Sequence, residues 1–143
     1  MEQHGISLPL EAQGTTDKDS RFEKGLAKQV QLFGESMAKR QTDGPVLRRN
    51  VNRWRADICF GDYYTRNGLK DQEREMITFC FILAQGGCEN QLRGHTAGNF
   101  GVGNDKEKMY SVVEQCMPYI GYPRTLNAMG IIDEVAAKVS SGS

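Results

Sequence analysis

The sequence has 143 residues, in which 18 lysines and arginines balance 18 aspartates and glutamates. This length predicts a single domain with a workable core, and the zero net charge gives no support for nucleic-acid binding or attraction to a membrane surface. No apolar run approaches the ~20 residues that a membrane-spanning helix needs. Because residues 1–20 also lack the apolar core of a signal peptide, we expect a cytoplasmic protein without nucleic-acid or membrane partners.

Glycine and proline residues divide the chain into blocks with helical periodicity. No segment shows the sustained period of two that is typical of a strand, so we predict an all-α fold of about six helices. We expect residues 1–18 to form a disordered or loosely attached tail and residues 19–139 to form a single helical domain. The predicted helices cover residues 19–40, 45–65, 70–86, 89–100, 105–119 and 123–138.

The third predicted helix carries the run Met76–Ala84, which is apolar on every face except at Thr78. A helix that is apolar all round is buried on all sides. A domain this small can bury one such helix, but a subunit interface would do so more easily. The run therefore predicts a homo-oligomer with an extensive apolar interface.

His95 is the only histidine outside the N-terminal tail, and histidine is the side chain whose unperturbed pKa lies nearest neutral pH. On a helix, Cys88, Gln91 or Leu92, His95 and Asn99 would share one face, which would place a thiol, an amide and an imidazole in one stripe. His95 is therefore either a proton donor or acceptor, or a structural histidine bonded to a backbone carbonyl. The four cysteines form no Cys-x-x-Cys pair, and the ligand spacing of a metal site is absent, so we expect no metal.

Three segments from residue 60 onward carry a family pattern. They read FGDYYTRNGL followed by EREM, then QLRGH, and finally PYIGYPRTLNA. In this order they resemble the blocks of the carboxymuconolactone decarboxylase family, within the alkylhydroperoxidase D-like superfamily, over roughly residues 50–135. The resemblance implies an alkylhydroperoxidase D-like helical bundle that assembles into ring-like oligomers, often trimers or hexamers.

One branch implied by this resemblance is a thiol peroxidase, whose motif is a glutamate, a Cys-x-x-Cys pair, three further residues and a histidine. Aligned on His95, the two cysteine positions fall on Cys88 and Gln91, and the glutamate falls on Glu75. The second cysteine is therefore missing, and Cys88 would lie ~10 Å along the helix from His95. A one-cysteine peroxidase remains possible, because a helix N-terminus raises the thiolate content of a cysteine.

The other implied branch is a cofactor-free decarboxylase of a carboxylated muconolactone. Loss of CO₂ beside a carbonyl leaves an enolate, which needs charge stabilisation and then a proton. His95 is the candidate general acid. Glu75 could orient His95 or act as a base, or it could simply pair with Arg74 or Lys70.

Arginine side chains hold carboxylates in a bidentate fashion, although a surface or interface salt bridge is the commoner role of a single arginine. We predict a cofactor-free, decarboxylase-type lyase or isomerase that acts on a small carboxylated substrate such as a lactone. A thiol-dependent peroxidase with peroxiredoxin-like activity is the first alternative, and a non-catalytic helical oligomer is the second. The candidate substrate-binding residues are Arg66, Arg74, Arg93, Arg124 and Tyr122.

Overall fold

The computed structural model describes residue 5 and residues 9–141, and this part of the chain contains six α-helices and no strand. The all-α prediction is therefore confirmed. Parts of both tails lie outside the described residues, namely residues 1–4 and 6–8 of the predicted N-terminal tail and residues 142–143 at the C-terminus. The helices are α1 (Arg21–Phe33), α2 (Ser36–Thr42), α3 (Arg49–Trp54), α4 (Asp71–Gln85), α5 (Glu89–Gly101) and α6 (Lys106–Ser141).

The first predicted helix, residues 19–40, is wrong as a continuous element. It ends at Gly34, where φ is 82°, a conformation that glycine adopts readily and other residues avoid. The chain turns there and starts again as α2. A similar glycine, Gly121 with φ of 77°, bends α6 between the two helices predicted for residues 105–119 and 123–138.

The second predicted helix has an unusual geometry. After a 3₁₀ turn at Val46–Arg48, α3 continues directly into a π-helical segment over Arg55–Tyr63. This π segment packs tightly on α1. The two backbones lie so close that a Cβ at Gly25 would overlap the carbonyl oxygen of Ala56. A π-helix, which winds more widely than an α-helix and is often found at functional sites, therefore lies against α1 at a backbone contact that only glycine permits.

The described part of the N-terminal tail lies against this π segment. The hydroxyl of Thr15 donates to the carbonyl of Thr65 at 2.9 Å, and the hydroxyl of Thr16 donates to Asp62 at 2.8 Å. These hydrogen bonds connect the residues just before α1 to the end of the π segment.

The apolar core lies between α4, α5 and α6. On α4, Phe79 and Leu83 are buried, whereas Ile77 is 42 % exposed and Phe81 is 72 % exposed. The expectation that this helix is buried on all sides is therefore not met within one chain. In the described part of the chain, no helix combines the length and apolar character needed to cross a membrane. The buried core residues are Phe79, Leu83, Leu92, Met109, Val113, Ala128, Ile131, Ile132 and Val135.

Candidate active site

A carboxylate and an imidazole meet between α4 and α5. Glu75 Oε2 lies 2.8 Å from His95 Nδ1, and the Glu75 side chain is fully buried while that of His95 is 17 % exposed. Because Nδ1 is engaged by the carboxylate, Nε2 is the ring nitrogen left to interact with another molecule. A carboxylate behind a histidine fixes the orientation of the ring and the position of its Nδ1 proton, as in other acid–base pairs.

The buried Glu75 carboxylate is held by a second hydrogen bond. The hydroxyl of Tyr64 donates to Glu75 Oε1 at 2.8 Å and lies 2.6 Å from the hydroxyl of Thr78. Burial, together with the negative charge of Glu75, raises the pKa of Tyr64, so that its hydroxyl stays protonated. A buried carboxylate is tolerated only when its oxygens are paired and hydrogen-bonded. Tyr64 and His95 together meet this requirement.

Two asparagines fix the backbone around the pair. The Asn99 amide donates to the carbonyl of Glu75 at 3.1 Å and to the carbonyl of His95 at 2.7 Å. The Asn104 amide in turn donates to Asn99 Oδ1 at 2.8 Å. Since buried amides are hydrogen-bonded to both helices, α4 and α5 are locked in register at the level of Glu75 and His95.

The His95 ring is also confined on its apolar side. The ring of Phe33 meets it edge-on, with centroids 5.3 Å apart and planes at 82°. On the same helix as His95, Gly98 provides the space for this arrangement. A Cβ at Gly98 would lie 2.5 Å from Glu75 Oε2 and 2.8 Å from Phe33 Cε1, so the close approach depends on the missing side chain.

His95 lines a cavity of about 630 Å³, which we call the His95 cavity. This volume lies within the range of small-molecule sites. Its walls are partly apolar, with Phe33 and Phe60, and partly polar, with Gln29, Arg40 and Arg55. Within residue 5 and residues 9–141, no three His, Cys, Asp or Glu side chains are grouped in a way that could hold a metal ion.

Cys88 lies away from this cavity. It occupies the position just before α5 and is half-buried, in a narrow cleft that Leu92 and Arg124 also line. Gln91 and His95, by contrast, line the His95 cavity. The thiol and the imidazole of one chain therefore open onto different surfaces, although the sequence spacing predicted one stripe.

The predicted substrate-binding residues also lie outside the residues that line the His95 cavity. Arg74 donates to the backbone carbonyl of Tyr63, the last residue of the π segment, and to that of the exposed Arg66. Arg93 forms an ion pair with Glu134 at 2.9 Å. Arg124 donates to the carbonyl of Ala84 at 2.7 Å, and Tyr122 is largely exposed. Their predicted role stays a prediction, and in a single chain each arginine among them except Arg66 already has a protein partner.

Two arginines that the sequence analysis did not single out, Arg40 on α2 and Arg55 in the π segment, line the His95 cavity instead. Arg40 and the cavity residue Gln29 lie outside the motif blocks, at residues where the family pattern offers no guide. Only the folding of α1, α2 and the π segment over α5 brings these side chains to the histidine.

Known proteins support the resemblance. The sequence model of the carboxymuconolactone decarboxylase family matches residues 49–134. The chain belongs to the carboxymuconolactone decarboxylase family. A relative in this family, a 4-carboxymuconolactone decarboxylase from Acinetobacter baylyi (strain ATCC 33305 / BD413 / ADP1), is 27% identical over 124 residues, which are 82% of this chain and 87% of the relative. The family match includes Arg55, Glu75 and His95, whereas Gln29 and Arg40 precede it.

Proposed function

We propose that this member of the carboxymuconolactone decarboxylase family is a cofactor-free decarboxylase of a small carboxylated lactone. The observation that carries the proposal is the 2.8 Å contact between Glu75 and His95 at the wall of the His95 cavity. The name of the Acinetobacter relative supplies the first substrate to test, 4-carboxymuconolactone. The family match and this relative support decarboxylation over other reactions.

The proposed reaction needs one proton and one place for negative charge. The bond between the carboxylate carbon and the ring carbon breaks, CO₂ leaves, and the electron pair is delocalised through the ring double bond onto the lactone carbonyl oxygen as an extended enolate. Protonated His95 then donates its Nε2 proton to the enolate and becomes a neutral imidazole. A proton from solvent restores the imidazolium for the next cycle.

Glu75 acts in this scheme as a positioning residue. It accepts the Nδ1–H of His95, which fixes the orientation of the ring and leaves Nε2 to donate the proton. Tyr64, which donates to the other oxygen of the carboxylate, keeps Glu75 oriented. His95 Nε2 would therefore donate its proton from a fixed position on the cavity wall.

The direct test is CO₂ release from 4-carboxymuconolactone by the wild-type protein in the presence of a metal chelator. We expect turnover well above the uncatalysed rate, and Cys88→Ser should retain most of it, because Cys88 lies in a separate cleft. In parallel, peroxide consumption with a dithiol reductant should stay at background for both proteins.

The opposite pattern would reject the proposal. No CO₂ release, combined with peroxide consumption that is lost in Cys88→Ser, would identify a thiol peroxidase. Inactivity in both assays would leave a protein that keeps the family's scaffold for another purpose.

A further inference from the structure

Two positive charges in the His95 cavity have no acidic partner among the described residues. Arg40 and Arg55 both line the cavity, and the ion pairs found in residues 9–141 involve neither of them. Arg55 is half-buried, whereas Arg40 is exposed. A charge partly withdrawn from water is ordinarily paired or hydrogen-bonded. The unpaired guanidinium of Arg55 therefore points to an anion from outside the chain, and Arg40 adds a second positive charge at the same cavity.

Unpaired polar atoms mark the same wall. Within the described part of the chain, four buried side-chain polar atoms have no hydrogen-bond partner, and two of them, Arg55 Nε and Gln29 Oε1, belong to residues that line this cavity. Gln29 is only 1 % exposed. Burial and the charge of Arg40 lower the pKa of Arg55. A carboxylate ligand would supply an acceptor for the guanidinium of Arg55, but it would not pair with Gln29 Oε1, which is itself an acceptor.

The π segment explains how Arg55 reaches the cavity. Residues five apart lie on one face of a π-helix, and both Arg55 and Phe60 line the cavity. The same winding places Ala56 and Gly61 against α1, where both are buried. Normal α-helical winding would separate Arg55 from Phe60 around the helix, so the segment's geometry is what presents this arginine beside an aromatic wall.

We propose that Arg55, with Arg40, forms an anion subsite that binds a carboxylate group of the substrate. The proposal rests on the proposed decarboxylase function and deepens it. A guanidinium fork matches the two oxygens of a carboxylate. His95 projects from α5, whereas the subsite is built from α2 and the π segment, so the two would contact the substrate from different elements.

The subsite suits a carboxylate that keeps its charge during the reaction. Two guanidinium groups would bind a departing carboxylate more tightly than the transition state in which its charge is being lost, and this would slow the reaction. A carboxylate that stays on the molecule keeps its charge in the transition state, so its binding does not slow the reaction. It would also hold the ring against His95.

The test is calorimetric titration with 2-furoate, a small five-membered-ring carboxylate, in a buffer of low anion content. We expect wild type to bind and Arg55→Gln to bind at least about tenfold more weakly. Arg55→Lys should fall between them, because lysine keeps the charge and loses the fork. The matched control is Arg53→Gln, two residues away, where the arginine pairs with Asp57 on the surface; it should bind as wild type does.

Thermal unfolding separates a binding role from a structural one. Because Arg55 has a buried unpaired nitrogen, Arg55→Gln should not lower the Tm of the ligand-free protein, whereas a structural arginine would show a clear loss. Equal affinity of wild type and Arg55→Gln for 2-furoate, or no binding by wild type at millimolar concentration, would overturn the subsite.

The subsite and the proposed function can fail separately. CO₂ release from 4-carboxymuconolactone with a KM that does not change in Arg55→Gln would overturn the subsite and leave the decarboxylase. Binding of 2-furoate that depends on Arg55, without any CO₂ release by wild type, would keep the subsite and overturn the decarboxylase.

Discussion

Close packing around Glu75 and His95 leaves little freedom to either side chain. The carboxylate accepts hydrogen bonds from Tyr64 and from the imidazole, and Phe33 closes the remaining side of the ring. A proton donor held this firmly presents the same nitrogen in every molecule, which is what general acid catalysis requires. The arrangement depends as much on the small neighbour Gly98 as on the polar groups.

Gly98→Ala should disturb the site without changing a polar group. An added Cβ would lie 2.5 Å from Glu75 Oε2, so the carboxylate must move away from His95. Alanine favours a helix by about 1 kcal/mol over glycine, but overpacking of this kind typically costs about 1–3 kcal/mol. We expect kcat/KM to fall at least about tenfold, and the free energy of unfolding to fall rather than rise.

The control for this substitution is Gly101→Ala, at the end of the same helix. A Cβ there would meet nothing within 4 Å, so kcat/KM should stay near the wild-type value and the free energy of unfolding should stay the same or rise slightly. Wild-type kcat/KM in Gly98→Ala would show that the close approach of α5 to Glu75 has no part in the reaction.

Only some residues of the candidate site could be predicted from the sequence. Glu75 and His95 stand in motif blocks, so the sequence indicates both of them, although their contact is seen only in the fold. Arg40 and Arg55 are ordinary arginines in polar stretches, and their missing acidic partners are a property of the folded cavity. The predicted substrate-binding residue Arg93 is instead found with Glu134, 41 positions along the chain, a pairing that no local pattern reveals.

Among the elements, α4 was predictable and the π segment was not. The helix predicted at residues 70–86 is found at Asp71–Gln85, because its limits have local causes. The backbone N–H of Lys70 donates to Glu73 Oε2 at 2.7 Å at the start, and Gly86 follows the end with φ of 70°. The π winding of Arg55–Tyr63 packs against a distant partner, Gly25 of α1, and an apolar spacing that is interpreted as an ordinary helix does not indicate it.

Helix α1 shows that apolar periodicity alone does not predict where a helix ends. Its apolar residues keep helical spacing up to Phe33, and the buried Met37 of α2 continues the same pattern across Gly34. Periodicity alone therefore predicts one helix through a residue whose backbone conformation ends it. That break matters for the site, because α2 carries Arg40 to the cavity.

At the scale of the whole molecule, α4 exposes an apolar strip that one chain does not cover. Phe81 and Ile77, four residues apart on one helix face, are 72 % and 42 % exposed. We predict a stable homo-oligomer, with an interface of obligate rather than standard size. Light scattering at micromolar concentration should give a multiple of the monomer mass, and Phe81→Glu should shift it toward smaller species.

The matched control for assembly is Lys39→Glu, which also places a carboxylate on an exposed helical position but on α2. It should leave the scattering mass unchanged. A wild-type protein that scatters as a monomer at micromolar concentration would contradict the prediction.

The central claim is that His95 supplies the proton to an enolate formed by loss of CO₂, and kinetics of His95→Gln on 4-carboxymuconolactone test it most directly. The glutamine amide can still donate to Glu75, so the fold and the Tm should be kept. General acid–base catalysis typically contributes ~10²–10⁴-fold, so we predict a loss of that order in kcat. KM should change little, because the arginines are proposed to hold the carboxylate. A variant that keeps the wild-type kcat while its Tm falls would show instead that His95 is a structural residue, and would contradict the account.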